Sequence, residues 1–244
     1  MAPTAKNLQE QHAYVLQSEA ALAKIDKATP CHYGVPTVLV VAFDKNNFIP
    51  AKGKKMKKVA VIWSSANKDG LTASAKNQFI SGLTDAGIQV DEIYLNGKTI
   101  EHCKACGNGW GTCLKLGKCV IEDDFAEVYQ KLAEADGIVW VSAVYFWEMT
   151  ECFKAFFDRL RRCEGLKHRF LAEKRCVLIA CAGGTGRGTL ECLTQLERGL
   201  THMGMRAYDR IPVVRYNREY ILPALYDAGK VYVDRLENGF DMYY

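Results

Sequence analysis

Apolar and polar positions follow two rhythms along this chain. Short, nearly unbroken apolar runs recur at residues 59–63, 137–141 and 176–181, with more mixed runs at 90–95 and 206–214. Runs of this length, bounded by turn-forming residues, predict strands buried on both faces of a sheet. Between them the apolar positions fall three and four apart: Ala75, Phe79 and Leu83, then Phe125, Val128 and Leu132, then Phe153, Phe156, Phe157 and Leu160. Leu190, Leu193, Leu196, Leu200 and Met203 continue the pattern, and residues 222–236 close it. That spacing predicts helices over residues 72–86, 124–135 and 149–162 and two later ones, each with one buried face. Gly87 stands where a helix ends. Strands alternating with helices define an α/β class: a doubly wound, five-stranded parallel sheet covered on both sides, with right-handed crossovers.

Residues 1–55 depart from this rhythm. Residues 8–27 carry helical spacing at Leu16, Ala20, Ala23 and Lys24, ended by Thr29-Pro30, and residues 35–43 (VPTVLVVAF) predict a strand. A helix and a strand cannot enclose a core by themselves. This helix-plus-strand extension is therefore expected to pack on the main domain, residues 56–244, or on a neighbouring subunit of a homo-oligomer. The lysine-rich stretch of residues 52–58 is a solvated linker rather than a nucleic-acid contact.

In a doubly wound sheet ligands bind beyond the carboxyl ends of the strands, where strand order reverses. Three segments fall there. The first, SSANKDGLT at residues 64–72, joins a strand to a helix start and offers Ser64, Ser65, Asn67 and Thr72 as side-chain donors. Gly70 lets its backbone approach a ligand, and the positive end of the helix dipole points at the same spot. It is neither the Gly-x-Gly-x-x-Gly pattern nor a Gly-Lys-Ser/Thr phosphate loop. The second, residues 142–150 (SAVYFWEMT), is too aromatic for a water-facing turn and calls for a planar ligand or a subunit interface to cover. The third, AGGTGRG at residues 182–188, has four glycines whose N–H groups can approach a ring. Together they form a mononucleotide-shaped set.

These motifs resemble the flavodoxin-like NADPH-dependent FMN reductases, in particular the branch called iron–sulfur flavoproteins, over residues 56–216. SSANKDGLT is similar to that family's phosphate loop, usually GSPRKNGNT, and ADGIVWVSAVYFWEMTECFKAFFDR at residues 135–159 to its ADGIV…SPVYF…LK.FIDR segment. The resemblance implies an FMN phosphate held by Ser65, Asn67, Leu71 and Thr72. It also implies a flavin lying along Ala143, Val144, Tyr145, Phe146 and Trp147, with Gly183, Gly184 and Gly186 at its far edge. Asn67 stands where the family often has arginine, Leu71 where it has asparagine and Ala143 where it has proline.

Ten cysteines are many for a chain with no basic-then-apolar leader and no membrane-length apolar run, for which the cytosol is the expected compartment. Cys31, Cys152, Cys163, Cys176, Cys181 and Cys192 read as small core residues. Cys103, Cys106, Cys113 and Cys119 cluster instead, with spacing x2, x6 and x5 and glycines between them. Four thiolates in such a loop suit a [4Fe–4S] cluster, tetrahedral zinc, or free and redox-active thiols. The family's cluster-bearing members have only two residues between the second and third cysteine. His102 reads as a loop-orienting or solvent-facing residue.

No Ser–His or Cys–His pair is apparent, Asp158-Arg159 reads as a structural pair, and Glu148 as a solvated helix-start carboxylate. Residues 29–45 faintly resemble a nitroreductase segment, a different flavoprotein fold. The expected protein is a cytosolic FMN oxidoreductase passing electrons from NAD(P)H to a small-molecule acceptor, or outward through a cluster. A flavodoxin-like electron carrier and a cysteine-loop redox sensor are the alternatives. The formal net charge of +4 leans away from a carrier with an acidic partner face.

Overall fold

The computed structural model describes residues 57–165 and 168–238, and the backbone of two earlier strands, β1 (Gln11–Leu16) and β2 (Val38–Phe43). The chain divides into two compact units, Met1–Lys55 and Met56–Tyr244. In the first, β1 and β2 pair antiparallel, from Gln11 opposite Phe43 to Leu16 opposite Val38. The helix expected over residues 8–27 is thus replaced by a strand at Gln11–Leu16. Its Tyr14 and Val15 favour extended backbone, and a valine-rich partner strand is available to pair with it. The rest of that expected helix, Cys31 and the lysine-rich linker before Lys57 lie outside the described residues.

The second unit runs β3 (Lys58–Ser64), α1 (Leu71–Asp85), β4 (Gln89–Tyr94), the short helix α2 (Thr112–Leu116), α3 (Phe125–Glu134) and β5 (Gly137–Tyr145). It continues through β6 (Glu148–Met149), α4 (Glu151–Cys163), β7 (Arg175–Ala182), α5 (Thr189–His202), β8 (Arg206–Val214) and α6 (Arg218–Asn238). The five long strands lie parallel in the order β4-β3-β5-β7-β8, the flavodoxin-like doubly wound arrangement, and the two-residue β6 pairs antiparallel with β5. Alternate residues of each central strand enter opposite cores. Val59, Val61, Val139 and Val141 meet Phe79, Leu83, Leu225 and Tyr232 of α1 and α6, while Ala60, Ile62, Ile138 and Trp140 meet Phe125, Phe153 and Leu196 of α3, α4 and α5. This two-sided burial explains why β3, β5 and β7 read as continuous apolar runs. No described helix is long and apolar enough to cross a membrane.

The strand order reverses between β3 and β5. Their register sets Ser64 opposite Ser142, and Ser142 in turn lies opposite Ala180 of β7. The three candidate loops therefore leave the sheet at one height.

Candidate functional site

The first loop rests on a polar foundation. Buried Ser64 donates from Oγ to Asn96 Oδ1 at 2.8 Å and shares a short hydrogen bond with Thr150 Oγ1. The Ser65 N–H donates to the same Asn96 oxygen at 2.9 Å, and the Tyr94 hydroxyl donates to the Ser65 carbonyl at 3.0 Å. Ser64 is therefore turned inward, away from the rim, and Thr72 is buried as well. Ser65 Oγ accepts from the Asn67 N–H, and Asn67 Oδ1 accepts from the Asp69 N–H, which shapes the turn into α1.

At that helix start the demand for an anion is unmet. Gly70 caps α1 without any side-chain hydrogen bond, and the first turn holds no acid. The N–H groups of Gly70, Leu71 and Thr72 have no acceptor among the described residues. Orphan donors at the positive end of a helix bind anions. Leu71 contributes only its N–H, since its side chain packs against the core shared by α1 and α6. Lys68, 5.2 Å from the Tyr94 ring centre, is the one cation within residues 64–72.

The second segment is less of a loop than its composition suggests. β5 runs on through Tyr145, and only Phe146 and Trp147 remain as a two-residue tip before β6, with Tyr145 opposite Glu148. Glu148 is thus an exposed strand residue rather than a helix-start carboxylate. Helix α4 begins after Thr150, whose Oγ1 accepts from the Phe153 N–H. Ala143 is buried, Val144 half-buried, and Tyr145, Phe146 and Trp147 are exposed. The Tyr145 hydroxyl crosses to the first loop and accepts from the Ala66 N–H at 2.9 Å.

The glycine-rich segment divides into two kinds of position. Gly188 lies at φ +84°, and a Cβ there would sit 2.6 Å from Trp147 Cα, so this glycine is what lets the hairpin tip close onto the loop. Gly186, also left-handed, abuts Val214. Gly183 and Gly184 are exposed, are not left-handed, and would place a Cβ in open space. No fold requirement explains them, whereas a flat ligand edge against the main chain does. An uncapped helix start, an aromatic hairpin and an open glycine edge at one rim fit a flavin mononucleotide. Asn96, Tyr94 and Thr150 were not legible as part of this set, because each acts through contacts remote in sequence.

The cysteine loop fits its expected cofactor poorly. Cys103, Cys106, Cys113 and Cys119 are reduced, half-buried, and line one recess of about 20 Å³ together with Arg159, Arg162 and Cys163. That volume admits about one water. Among the described residues no three His, Cys, Asp or Glu side chains converge to hold a metal ion. The described residues thus give no support to the expected [4Fe–4S] or zinc site at Cys103, Cys106, Cys113 and Cys119, and agree with the reading of free thiols. The long spacer after Cys106 folds as turns, and Cys113 lies on α2.

Two arginines of α4 fix this arrangement. Arg159, 1% exposed, meets Asp123 with both terminal nitrogens at 2.5 and 2.9 Å, donates to the carbonyls of Glu101 and Ile121, and lies over the Phe125 ring. Arg162 stacks on Trp110 and donates to the Gly109 carbonyl. Burial pushes the Cys163 thiol up to about 12, with Cys119 and Cys113 adding to the effect, so it stays neutral. Cys176, Cys181 and Cys192 are likewise buried core thiols, as their scatter suggested. His102 is exposed.

Fold and rim together define a flavodoxin-like flavoprotein. The model of the NADPH-dependent FMN reductase family matches residues 57–216, and the chain belongs to that family. It is 31% identical over 105 residues to an iron–sulfur flavoprotein of Archaeoglobus fulgidus, covering 43% of this chain and 46% of that one. It is 36% identical over 122 residues to an iron–sulfur flavoprotein of Methanosarcina thermophila, covering 49% and 59%. The chain thus spans about half the length of the curated relatives it matches. Among solved structures, an NAD(P)H:quinone oxidoreductase from Methanothermobacter marburgensis superposes with a TM-score of 0.58 at 17% identity, covering 77% of this chain and 99% of that one. An NADH:FMN oxidoreductase superposes with a TM-score of 0.52 at 19% identity, covering 72% and 89%. At such identities the superpositions establish the fold alone.

Proposed function

We propose that this chain is an FMN-dependent oxidoreductase that takes electrons from NAD(P)H and passes them to a small acceptor of quinone, nitro or flavin type. The observation that carries the reading is the uncapped start of α1, with three successive N–H groups unsatisfied at the rim where Gly183 and Gly184 leave open space. The N–H groups of Gly70, Leu71 and Thr72, with Ser65, Asn67 and Lys68 beside them, would hold the phosphate. The main chain at Gly183 and Gly184 and the hairpin at Val144–Trp147 would flank the ring. FMN supplies the hydride-accepting chemistry, and the protein contributes placement and exclusion of water.

Self-association is part of the same reading, since Leu116, Val120 and Phe170 leave large apolar surface exposed. The test is titration of the purified chain with FMN, followed by NADPH oxidation with a quinone. Saturable binding at about micromolar Kd or tighter, with steady turnover, is expected. A chain that stays colourless and binds no FMN at about 100 μM ends the proposal.

A further inference from the structure

The hairpin tip is built from the wrong residues for its backbone. Tyr145 and Glu148 close a two-residue turn in which Phe146 lies at φ +45° and Trp147 at φ +75°. Two successive positive φ angles are what a type I′ turn requires, and sequences satisfy it with Asn-Gly because a large side chain in that region is strained. The geometry is not free to relax, since Gly188 lies against the Trp147 backbone. Nor does local packing favour the ring at Phe146, which is 93% exposed. Strain that gains the fold nothing and sits at a ligand rim points to function.

We propose that Phe146 is the stacking platform for the electron acceptor, and that it selects planar aromatic acceptors of the quinone class. This rests on the reading above. A flat acceptor covers the exposed face of the ring, and aromatic stacking favours it over a compact acceptor of equal charge. The overall reaction it serves balances as NADPH plus a proton plus a quinone giving NADP⁺ plus the hydroquinone: the hydride supplies two electrons and one proton, and solvent supplies the second proton. Phe146 takes no part in proton or electron transfer.

The double variant Phe146→Asn/Trp147→Gly restores the residues the turn prefers. It should therefore fold better, so a poorly folded variant cannot mask the outcome. The apo variant is expected to melt about 2–8 °C above the parent chain. Binding of anthraquinone-2-sulfonate to the oxidised FMN-loaded protein, measured by calorimetry, is expected to weaken about 10-fold. Phe146→Ala, which removes the ring and keeps the backbone angle, should weaken anthraquinone binding as much without raising the melting temperature. Unchanged anthraquinone affinity in either variant overturns the proposal, as does a double variant that melts no higher than the parent. A Phe146→Ala chain that loses self-association while keeping the affinity also overturns it, by making the ring an interface residue. If the parent chain takes up no FMN, the broader functional reading has failed, and the melting comparison still decides whether the turn is strained.

Discussion

The same substitution at two glycines four residues apart should give opposite results. At Gly184 no atom lies within 4 Å of a Cβ, and the backbone is not left-handed. Gly184→Val should therefore leave stability within about 0.5 kcal/mol, with a small gain from restricting the unfolded chain. If that open space receives the edge of the flavin ring, two methyl groups exclude it. FMN affinity should then fall at least about 100-fold, roughly 2.7 kcal/mol. At Gly188, by contrast, φ is +84° and a Cβ would meet Trp147 Cα at 2.6 Å and Val144 Cγ1 at 3.2 Å. A side chain there incurs about 1–2 kcal/mol for the left-handed backbone and about 1–3 kcal/mol for overpacking. A loss near 3 kcal/mol should lower the melting temperature by about 6–12 °C in a domain of this size. Thermal melts followed by circular dichroism, with FMN titrated by fluorescence quenching, separate the two effects. A Gly184→Val protein that binds FMN as tightly as the parent would refute the placement of the ring at this edge.

The remaining predictions concern the supports of the rim and of the cysteine loop. Arg159→Met leaves the Asp123 carboxylate buried and unpaired, and should lower stability by about 3–5 kcal/mol, with Arg159→Met/Asp123→Asn recovering part of it in denaturant melts. Burial alone would raise the Asp123 carboxyl, but hydrogen bonds from Arg159 and from the N–H groups of Glu101 and Phe125 together hold it below its ordinary value of 3.8. Its contribution is therefore full above pH 3.8 and drains as pH falls towards the lower folded value; urea melts across that acid range should show a slope that Asp123→Asn flattens. Thr150→Val removes the cap of α4 and one support of Ser64, and should reduce stability by about 1–2 kcal/mol, with Thr150→Ser restoring it.

Much of the architecture was legible because it depends on burial. Strands covered on both faces must be apolar throughout, so β3, β5 and β7 announced themselves, and the helices followed from one-sided spacing. The extension was misread because Leu16, Ala20 and Ala23 suggest a helix, whereas Gln11–Leu16 answers to a partner strand over twenty residues away. The reading of the four cysteines stayed open for a related reason: spacing counts residues, while convergence on a metal depends on how the spacer folds.

The order of apolar and polar residues by itself determined the class of fold and the three segments that meet at one rim, because both follow from which faces must avoid water. Only the tertiary structure decided that Ser64 turns inward and Thr72 is buried, that Tyr145 reaches across to Ala66, and that Phe146 stands exposed on a strained turn. Those outcomes depend on which groups find a partner across the gap between β3, β5 and the loop after β7. Such pairings between remote positions leave no periodic trace in the chain.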